Sequence, residues 1–337
     1  MKAIVCEQVG QFKRIELPEP SPVTGEGIVR IKRIGICGTD IHAFKGNQPF
    51  FTYPRILGHE LSGIIEWIGD NDAGLHAGDQ VSIIPYLHCG ICIACRNGKT
   101  NCCTSMRVLG VHTDGGMKEL LSVPVTHLLK ANSLTLDQAA IVEPLSIGAH
   151  AVRRSALQSG ETALVIGGGP IGLGVMAIAK LQGAKVIAMD IDKERLSFCK
   201  AWAHVDGTVH ATENPASTIE ELTNGEYPTV VFDATGNARS MSEAVRYMAH
   251  GGRLVYVGLV KGEIPLDDPE FHKREATLLG SRNATREDFL YVIDLIQEGR
   301  LQTDAYMTHN APFEQMMDRF QDWLNPASKV IKAIVTL

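Results

Sequence analysis

The sequence predicts an α/β protein in which a β-rich, partly closed barrel precedes a doubly wound parallel sheet. Residues 1 to about 145 hold short apolar runs separated by glycine and proline, and from about residue 160 apolar strands alternate with helical segments. A glycine-rich turn at residues 167–172 follows the first of these strands. Many short strands with frequent turns are typical of a barrel, whereas alternating strands and helices are typical of parallel βαβ units.

The first segment is assigned to strands because of runs such as residues 27–31 and 78–83, which lie between turn-forming residues. In the second segment, residues 162–166 form a compact apolar strand, and a helix is predicted over residues 170–182 after the glycine turn. The later strands are predicted at residues 185–190, 229–233, 253–257 and 276–280, with a helix over residues 240–249.

The last fifty residues are too few for a domain of their own. They contain predicted helices over residues 287–298 and 313–324 and a terminal strand over residues 330–336. We expect this tail to rejoin the first segment, which would make that domain discontinuous.

Length and charge narrow the class of protein. A chain of 337 residues, 45% hydrophobic and 21% charged, is typical of about two globular domains. The formal charge of −6 does not favour nucleic acid or an anionic membrane as partner. The N-terminus lacks the pattern of a signal peptide, and no apolar run approaches the length of a membrane span. The expected location is the cytoplasm.

The glycine turn fits the G-x-G-x-x-G pattern of a dinucleotide site. Gly167 permits the tight turn, Gly169 lets the backbone approach a pyrophosphate, and Gly172 allows close packing of helix on strand. Asp190, at the end of the next strand, is expected to accept hydrogen bonds from the adenosine ribose, which favours NAD over NADP. Arg195 lies nearby and could tolerate a phosphate. The alternative is a glycine turn that binds no ligand.

Five of the eight cysteines are clustered, which indicates a metal site rather than disulfides. Four thiolates suit a closed tetrahedral zinc site, and an iron–sulfur cluster is the second choice. Spacing alone does not choose between Cys102 and Cys103 as the fourth ligand. The clustered residues are Cys89, Cys92, Cys95, Cys102 and Cys103, whereas Cys6 and Cys199 are interpreted as core thiols.

Other residues of metal-binding type lie in three separate pieces: residues 35–42 with Cys37, the Gly-His-Glu of residues 58–60, and Glu143 with Pro144. Each piece alone is a weak signal, because a single Cys or His in a turn is more often structural. Spacing over such distances does not show that these residues meet.

The ordered series of motifs resembles the zinc-containing medium-chain dehydrogenases, the superfamily of alcohol, sorbitol and threonine dehydrogenases. The resemblance covers essentially the whole chain. It rests on G-I-C-G-T-D-x-H, G-H-E, the cysteine cluster, E-P, the glycine turn with its aspartate, and the D-A-T-G of residues 233–236. It implies a GroES-like catalytic domain, residues 1–147 and 286–337, and a Rossmann NAD-binding domain, residues 148–285, with the active site in the cleft between them.

The resemblance also implies roles for single residues in the catalytic domain. Cys37 and His59 correspond to catalytic zinc ligands, and Glu143 stands where ethanol-oxidising members have a second cysteine. Glu60 is a ligand in some members of the family and lies behind the ligands in others. Cys103, rather than Cys102, is implied as the fourth ligand of the structural zinc. The metal sets are Cys37, His59, Glu60 and Glu143 for catalytic zinc, and Cys89, Cys92, Cys95 and Cys103 for structural zinc.

The same resemblance implies a proton relay and a set of cofactor contacts. Asp40 corresponds to the carboxylate that orients the zinc-bound histidine. Thr39 and His42 correspond to the relay that removes the alcohol proton while hydride passes to the nicotinamide. The implied cofactor contacts are Gly167, Gly169, Pro170, Ile171, Gly172, Asp190, Arg195, Thr235, Gly236, Val257, Gly258, Leu259, Ser281, Arg282 and Asn283.

Glutamate in place of the second cysteine suggests a polyol or a sugar-derived alcohol. Residues 46–50, 110–112, 268–273 and 280–285 resemble a sugar-acid branch of the family, which implies a hexonate such as L-galactonate, oxidised to D-tagaturonate. Arg282 is the candidate cation for its carboxylate, and a cofactor or structural contact is the alternative.

Several alternatives remain open. The first is a polyol or threonine dehydrogenase. A zinc-free quinone reductase would lack the cysteine ligands that are present here, and a non-catalytic zinc-lobe regulator would need neither the relay nor the cofactor site. We expect a homodimer or homotetramer with a small-molecule substrate and no nucleic acid or membrane partner.

Overall fold

The computed structural model describes residues 1–48 and 51–337 and divides the chain into two compact units. The first comprises Met1–Glu143 with Thr285–Leu337, and the second comprises Pro144–Ala284. The predicted domain bounds, 1–147 with 286–337 and 148–285, stay a prediction. Pro49 and Phe50, the end of one motif used in the substrate prediction, lie outside the described residues.

The first part of the first unit consists of short strands with three short helices. Its strands are β1 (Lys2–Gln8), β2 (Gln11–Glu16), β3 (Glu26–Ile36), β4 (Glu60–Ile68), β5 (Gln80–Ile83), β6 (Tyr86–Leu87), β7 (Arg107–Val108), β8 (Leu120–Pro124) and β9 (Leu128–Lys130). Its helices are α1 (Gly38–Phe44), α2 (Ile93–Arg96) and α3 (Leu136–Ala140). Helix α4 (Val142–Ser155) then leads into the second unit.

The second unit alternates strand and helix as predicted. Its strands are β10 (Thr162–Ile166), β11 (Lys185–Asp190), β12 (Gly207–His210), β13 (Val230–Asp233), β14 (Arg253–Tyr256) and β15 (Thr277–Gly280). Its helices are α5 (Pro170–Leu181), α6 (Lys193–Trp202), α7 (Pro215–Leu222), α8 (Ala238–Glu243) and α9 (Asp268–Lys273). All neighbouring strands are parallel, in the order β12-β11-β10-β13-β14-β15, which is the doubly wound order of a Rossmann sheet.

The tail completes the first unit. It forms α10 (Arg286–Gln297), β16 (Met307–Pro312), α11 (Met316–Trp323) and β17 (Lys332–Thr336). Strand β17 pairs with β3 in the sheet β16-β17-β3-β4-β5-β9, in which β8 also pairs with β3. Phe320 of α11 packs against Phe12 and Phe44, with ring centroids 5.0 and 5.2 Å apart. Burial of these aromatic rings and the strand pairing together join the tail to the first segment.

The structure differs from the predicted elements in a few places. The helix predicted over residues 240–249 is α8 followed by a 3-10 turn, Ala244–Tyr247, and the one predicted over residues 313–324 begins with a 3-10 turn, Phe313–Gln315. Strands β12 and β16 were not predicted, because runs as short as four and six residues give little periodicity. Within the described residues, no helix is long and apolar enough to cross a membrane.

Candidate active site and metal centres

Asp40 connects the loops that carry Cys37 and His59. Strand β3 ends at Ile36, and Cys37 is the residue before α1. The Asp40 carboxylate is almost fully buried and accepts hydrogen bonds from the backbone N–H of Cys37 at 2.9 Å and of Gly58 at 3.3 Å. Burial raises the pKa of Asp40, and the facing His59 and these N–H groups oppose that rise. One buried side chain therefore fixes both loops.

His59 lies between Asp40 and Cys37. Its Nδ1 is 3.7 Å from Oδ1 of Asp40 and has no hydrogen-bond partner among the described residues. Burial alone would lower the pKa of His59, but the negative charges of Asp40 and Cys37 outweigh it and raise the pKa well above its usual range. The acidic neighbours therefore favour a positive charge at this position, which a protonated imidazole or a metal ion bound there would supply.

The ligand atoms of Cys37, His59 and Glu60 lie within 4.8 Å of one another, as a shared metal ion requires. Glu60 is fully buried, and both of its carboxylate oxygens accept hydrogen bonds from Nζ of Lys332, at 2.5 and 2.7 Å. Lys332 is itself buried and belongs to β17 in the tail. Proximity thus admits Glu60 as a ligand, but its oxygens are already engaged.

Glu143, in the first turn of α4, is a second buried carboxylate, and its charge interacts with that of His59. Unlike Glu60, this predicted ligand is not in the group whose ligand atoms lie within 4.8 Å of one another. Its Oε1 accepts a hydrogen bond from the hydroxyl of Tyr86, whereas its Oε2 is buried without a partner in the described part of the chain. Burial raises the pKa of Glu143 to about 7, and the positive charge expected on His59 opposes this rise. Soft thiolate, imidazole and an orphaned carboxylate oxygen form a donor set that fits zinc.

Thr39 and His42 both belong to α1, three residues apart, so they lie on the same face of the helix. Thr39 is half-buried and His42 is exposed. Their order from the interior outward is the order that a proton relay would need.

The segment that contains the clustered cysteines, residues 88–104, is called the cysteine lobe, and it brings four sulfurs together. The ligand atoms of Cys89, Cys92, Cys95 and Cys103 lie within 4.8 Å of one another. The Sγ atoms of Cys89 and Cys103, and those of Cys92 and Cys95, are 3.5 Å apart. A tetrahedral zinc with Zn–S bonds of about 2.3 Å needs sulfurs roughly 3.8 Å apart, so the group fits zinc.

Backbone hydrogen bonds distinguish the two adjacent cysteines of this lobe. Sγ of Cys103 is buried and accepts from the N–H of Cys89 at 3.3 Å and of Ser105 at 3.4 Å. Cys102 is exposed and is not part of the sulfur group. N–H donors directed at a sulfur stabilise its thiolate, which is the form that binds metal.

The glycine turn connects β10 to α5 as a phosphate-binding turn does. Gly167 has a φ of +103°, and a Cβ on Gly172 would lie 1.8 Å from the carbonyl oxygen of Gly167, so both positions require glycine. Pro170 and Ile171 form the first turn of α5, whose free N–H groups suit an anion. Asp190 ends β11 and accepts from the N–H of Gly168 at 2.5 Å.

A cavity of about 1480 Å³ opens beside this turn, and Gly167, Gly169, Asp190, Arg195 and Thr235 are among its lining residues. Sequence reasoning missed several polar residues of the same wall, because no motif marks them. These residues are Thr212, Asn214, Asn237, Arg239, Ser240 and Tyr247.

The remaining predicted cofactor residues lie in the loops that follow β13, β14 and β15. Gly236 has a φ of +63°, and a Cβ on Gly258 would lie 2.3 Å from the Gly236 nitrogen, so these two loops approach closely. Val257 donates its N–H to the carbonyl of Asp233, and Leu259 is exposed. After β15, Oγ of Ser281 and Nδ2 of Asn283 are buried without partners among the described residues, whereas Arg282 is exposed. Such orphaned polar atoms are expected in a ligand site.

Comparison with known families identifies the class of protein. Residues 24–133 match the family described as "Alcohol dehydrogenase GroES-like domain", and residues 170–298 match "Zinc-binding dehydrogenase". The chain belongs to this family of zinc-binding alcohol dehydrogenases. The resemblance and the fold class deduced from the sequence are therefore confirmed.

Individual relatives refine the class. The chain is 44% identical over 336 residues to L-galactonate-5-dehydrogenase of Escherichia coli K12, covering 100% of this chain and 99% of the relative. It is 31% identical to L-threonine 3-dehydrogenase of Bacillus velezensis, covering 95% and 94%. Among solved structures, it matches an E. coli CFT073 alcohol dehydrogenase (rspB) complexed with NADH, with a TM-score of 0.93, 30% identity, and 100% and 99% of the two chains covered.

These relatives establish the chain as a zinc-dependent alcohol or polyol dehydrogenase with a nicotinamide dinucleotide as its cofactor. The predictions of enzyme class and of zinc and NAD as cofactors are confirmed. Two residues of the site, Lys332 and Tyr86, were not predicted. Lys332 gave only a weak signal, a single lysine in an apolar terminal strand, and Tyr86 gave none.

Proposed function

We propose that this enzyme oxidises a hexonate at a secondary hydroxyl and transfers the hydride to NAD, with L-galactonate as substrate and D-tagaturonate as product. The observation that carries the proposal is the full-length similarity, at 44% identity, to an enzyme named for L-galactonate. Glu143, in place of the second cysteine of ethanol-oxidising relatives, supports a sugar-derived substrate over ethanol.

We propose that Cys37, His59 and Glu143 hold the catalytic zinc and that the four-cysteine lobe holds a structural one. The support is that the ligand atoms of Cys37 and His59 lie within 4.8 Å of each other and that Oε2 of Glu143 has no hydrogen-bond partner in the residues that the structure describes. Zinc bound there supplies a Lewis acid that makes the substrate hydroxyl easier to deprotonate.

The chain's own residues align the reactants and move the proton. Asp40 faces Nδ1 of His59 and, through its two backbone hydrogen bonds, keeps the imidazole in position. The Thr39 hydroxyl would accept the substrate proton while it donates its own proton onward to His42. His42, exposed on the same face of α1, would then release a proton to water. The glycine turn and Asp190 hold the pyrophosphate and the ribose of NAD, supported by the cavity that they line.

The substrate assignment is tested by measuring kcat/KM for hexonates, uronates and neutral polyols with NAD and with NADP. We expect L-galactonate to give the highest value and NAD to be the preferred cofactor. Turnover of neutral polyols or threonine without turnover of any sugar acid would reject the hexonate and leave the second candidate function. That candidate is favoured by the 31% identity to L-threonine 3-dehydrogenase of Bacillus velezensis and to a probable D-xylulose reductase A of Aspergillus terreus.

Arg282 is proposed to bind the hexonate carboxylate. It is exposed in the loop after β15, between the orphaned polar atoms of Ser281 and Asn283. A charge-assisted contact is worth about 1.5–3 kcal/mol, so Arg282→Ala should lower kcat/KM for the hexonate by roughly 10- to 150-fold. The neutral polyol of the same chain length should lose far less. Equal losses on both substrates would mean that Arg282 serves the cofactor or the fold, and Arg319→Ala, which changes an exposed arginine of α11, is the control.

We also propose that the enzyme is a homo-oligomer that associates through β15. This strand is at the edge of the six-stranded sheet, and Leu278 is 41% exposed on it. An edge strand offers unpaired backbone groups to a second copy of itself.

A further inference from the structure

The two buried glutamates beside Cys37 and His59 are held in different ways. Glu60 has both oxygens bound to Nζ of Lys332, which also donates to the carbonyl of Ile36 at 3.2 Å. Lys332 and Glu60 are 1% and 0% exposed. The pair is therefore a buried ion pair in which each carboxylate oxygen accepts a hydrogen bond from the same ammonium group.

The backbone shows that this arrangement is built into the sheet. Strand β3 lies between β4, which carries Glu60, and β17, which carries Lys332. Gly35 pairs with Glu60 on one side and with Ile334 on the other, and a Cβ on Gly35 would lie 2.0 Å from Oε2 of Glu60. Glu60 thus crosses over β3 toward Lys332 in space that the glycine leaves open.

Glu143 is held at one oxygen only. Its Oε1 accepts from the Tyr86 hydroxyl, and its buried Oε2 has no partner among the described residues. Tyr86 is 4% exposed and its ring packs edge-on against Phe289, with centroids 6.1 Å apart, so the hydroxyl is held in place. A buried carboxylate oxygen without a partner is costly, and a cation removes that cost.

We infer that Lys332 and Tyr86 are positioning residues that decide which glutamate binds the catalytic metal: Lys332 retains Glu60 as its counter-ion, and Tyr86 presents Oε2 of Glu143 as the ligand. The inference rests on the proposed zinc site, but not on the proposed substrate. Glu60 is near enough to Cys37 and His59 to compete. To bind the metal it would have to leave the Lys332 ammonium buried and unpaired, which disfavours the exchange.

Cobalt(II) in place of zinc reports the ligands directly, because its visible absorption depends on their number and type. The spectrum of the catalytic site is obtained by subtracting that of Cys37→Ser, which keeps only the cobalt of the four-cysteine lobe. We expect Glu143→Gln to shift this difference spectrum and Glu60→Gln to leave it unchanged. The reverse pattern would show that Glu60 is the ligand and would overturn the inference.

The role of Lys332 is tested by Lys332→Met, which keeps the length of the side chain and removes its charge. Without the ammonium, Glu60 becomes a buried charge whose nearest cation is the metal, so the cobalt spectrum should shift toward higher coordination. The double variant Lys332→Met/Glu60→Gln should restore the wild-type spectrum, whereas the control Lys32→Met, at a half-buried lysine of β3, should not change it. A folded Lys332→Met protein with the wild-type spectrum would refute the role of Lys332.

Tyr86→Phe tests the hydrogen bond from Tyr86 to Glu143, and it does so even if the Lys332 variants fail to fold. Loss of a hydrogen bond that orients a metal ligand typically lowers metal affinity by about 10- to 100-fold. Competition with a chelator should show this loss at the catalytic site and none at the four-cysteine lobe. Unchanged affinity would overturn the role of Tyr86.

The same experiments distinguish an error in the proposed zinc site from an error in the proposed substrate. If Cys37→Ser leaves the cobalt spectrum unchanged, the proposed catalytic metal site is rejected, and this inference is rejected with it. Expected spectra in a protein that does not oxidise hexonates would support the inference and reject only the substrate.

Discussion

Single residues in this enzyme act through the backbone groups and charges that they hold together. The residues next to Asp40 in the sequence do not indicate that it is buried. Its carboxylate nevertheless accepts backbone hydrogen bonds from two loops and faces His59. Asp190 likewise accepts from the N–H of Gly168 and, at 2.9 Å, from that of Asp192, so it shapes the glycine turn as well as facing the cavity.

Asp190 is expected to set the preference for NAD. Its negative charge repels a 2′-phosphate, so Asp190→Ser should raise the ratio of kcat/KM for NADP to that for NAD by about tenfold or more. The total rate should fall as well, because the turn loses two hydrogen bonds. Glu194→Gln, at an acidic residue of α6 that does not line the cavity, should leave the ratio unchanged. A wild-type enzyme that already favours NADP would contradict the ribose assignment.

Asp79 is expected to stabilise the first unit in a pH-dependent way. Burial would raise its pKa, but bonds from Asn132 at 2.8 Å, from the His76 N–H at 2.9 Å and from Lys130 at 3.0 Å lower the pKa to about 2. Since the folded-state pKa lies below the unfolded one, the stabilisation is complete above pH 4 and is lost as the pH falls toward 2. It amounts to about 2 kcal/mol.

Urea unfolding measures this contribution. Asp79→Asn should lower the free energy of unfolding at pH 7 by about 2 kcal/mol and flatten its decline between pH 4 and pH 2. Asp72→Asn, at an exposed carboxylate of the same loop, is the control. A pH profile of Asp79→Asn that runs parallel to that of the wild type would contradict the assignment.

At the scale of elements, the cysteine lobe is a segment that has little core of its own. Residues 88–104 contain only a four-residue helix and a 3-10 turn, and Ile91 and Ile93 are 76% and 61% exposed. Apolar burial therefore contributes little here, and a metal held by the four sulfurs is the interaction that we expect to order this segment.

Cys103→Ser should remove one zinc per chain and make the lobe sensitive to protease. Sγ of Cys103 is buried and accepts two backbone hydrogen bonds, so serine cannot replace it as a soft ligand. Cys102→Ser is the matched control and should keep its zinc, because Cys102 is exposed outside the sulfur group. Elemental analysis measures the zinc content per chain of both variants. Equal zinc contents would show that the fourth ligand is wrongly assigned.

At the scale of the whole molecule, segments that are far apart in the sequence lie next to each other in the fold. The tail returns to the first unit, where β17 pairs with β3 and Phe320 packs on Phe44. It thereby brings Lys332 to Glu60, 272 residues earlier in the sequence.

Association of whole chains is expected through β15. Leu278→Glu introduces a charge on the exposed edge and should shift the enzyme toward monomers, as measured by light scattering after size-exclusion chromatography. Leu290→Glu is the matched control, because Leu290 is 42% exposed, close to the 41% of Leu278, but lies on α10. A monomeric wild type, or an oligomer that both substitutions leave intact, would reject β15 as the interface.

The sequence by itself determined the features that depend on local chemistry. The glycine turn, the apolar strands around it and the cysteine cluster are short-range patterns, and their order along the chain defined the family and the cofactors. Helix ends were less predictable, as the 3-10 turn at Ala244–Tyr247 shows, because terminal turns depend on the residues packed against them.

Only the tertiary structure decided how the two glutamates differ. Glu60 is adjacent to His59 in sequence and Glu143 is remote, so spacing alone would favour Glu60 as the ligand. The pairing of β3 with β17 places Lys332 against Glu60, whereas Tyr86 binds only one oxygen of Glu143 and the other has no partner among the described residues. Such contacts depend on strand register and burial across the fold, and neither is encoded in the neighbours of a residue along the chain.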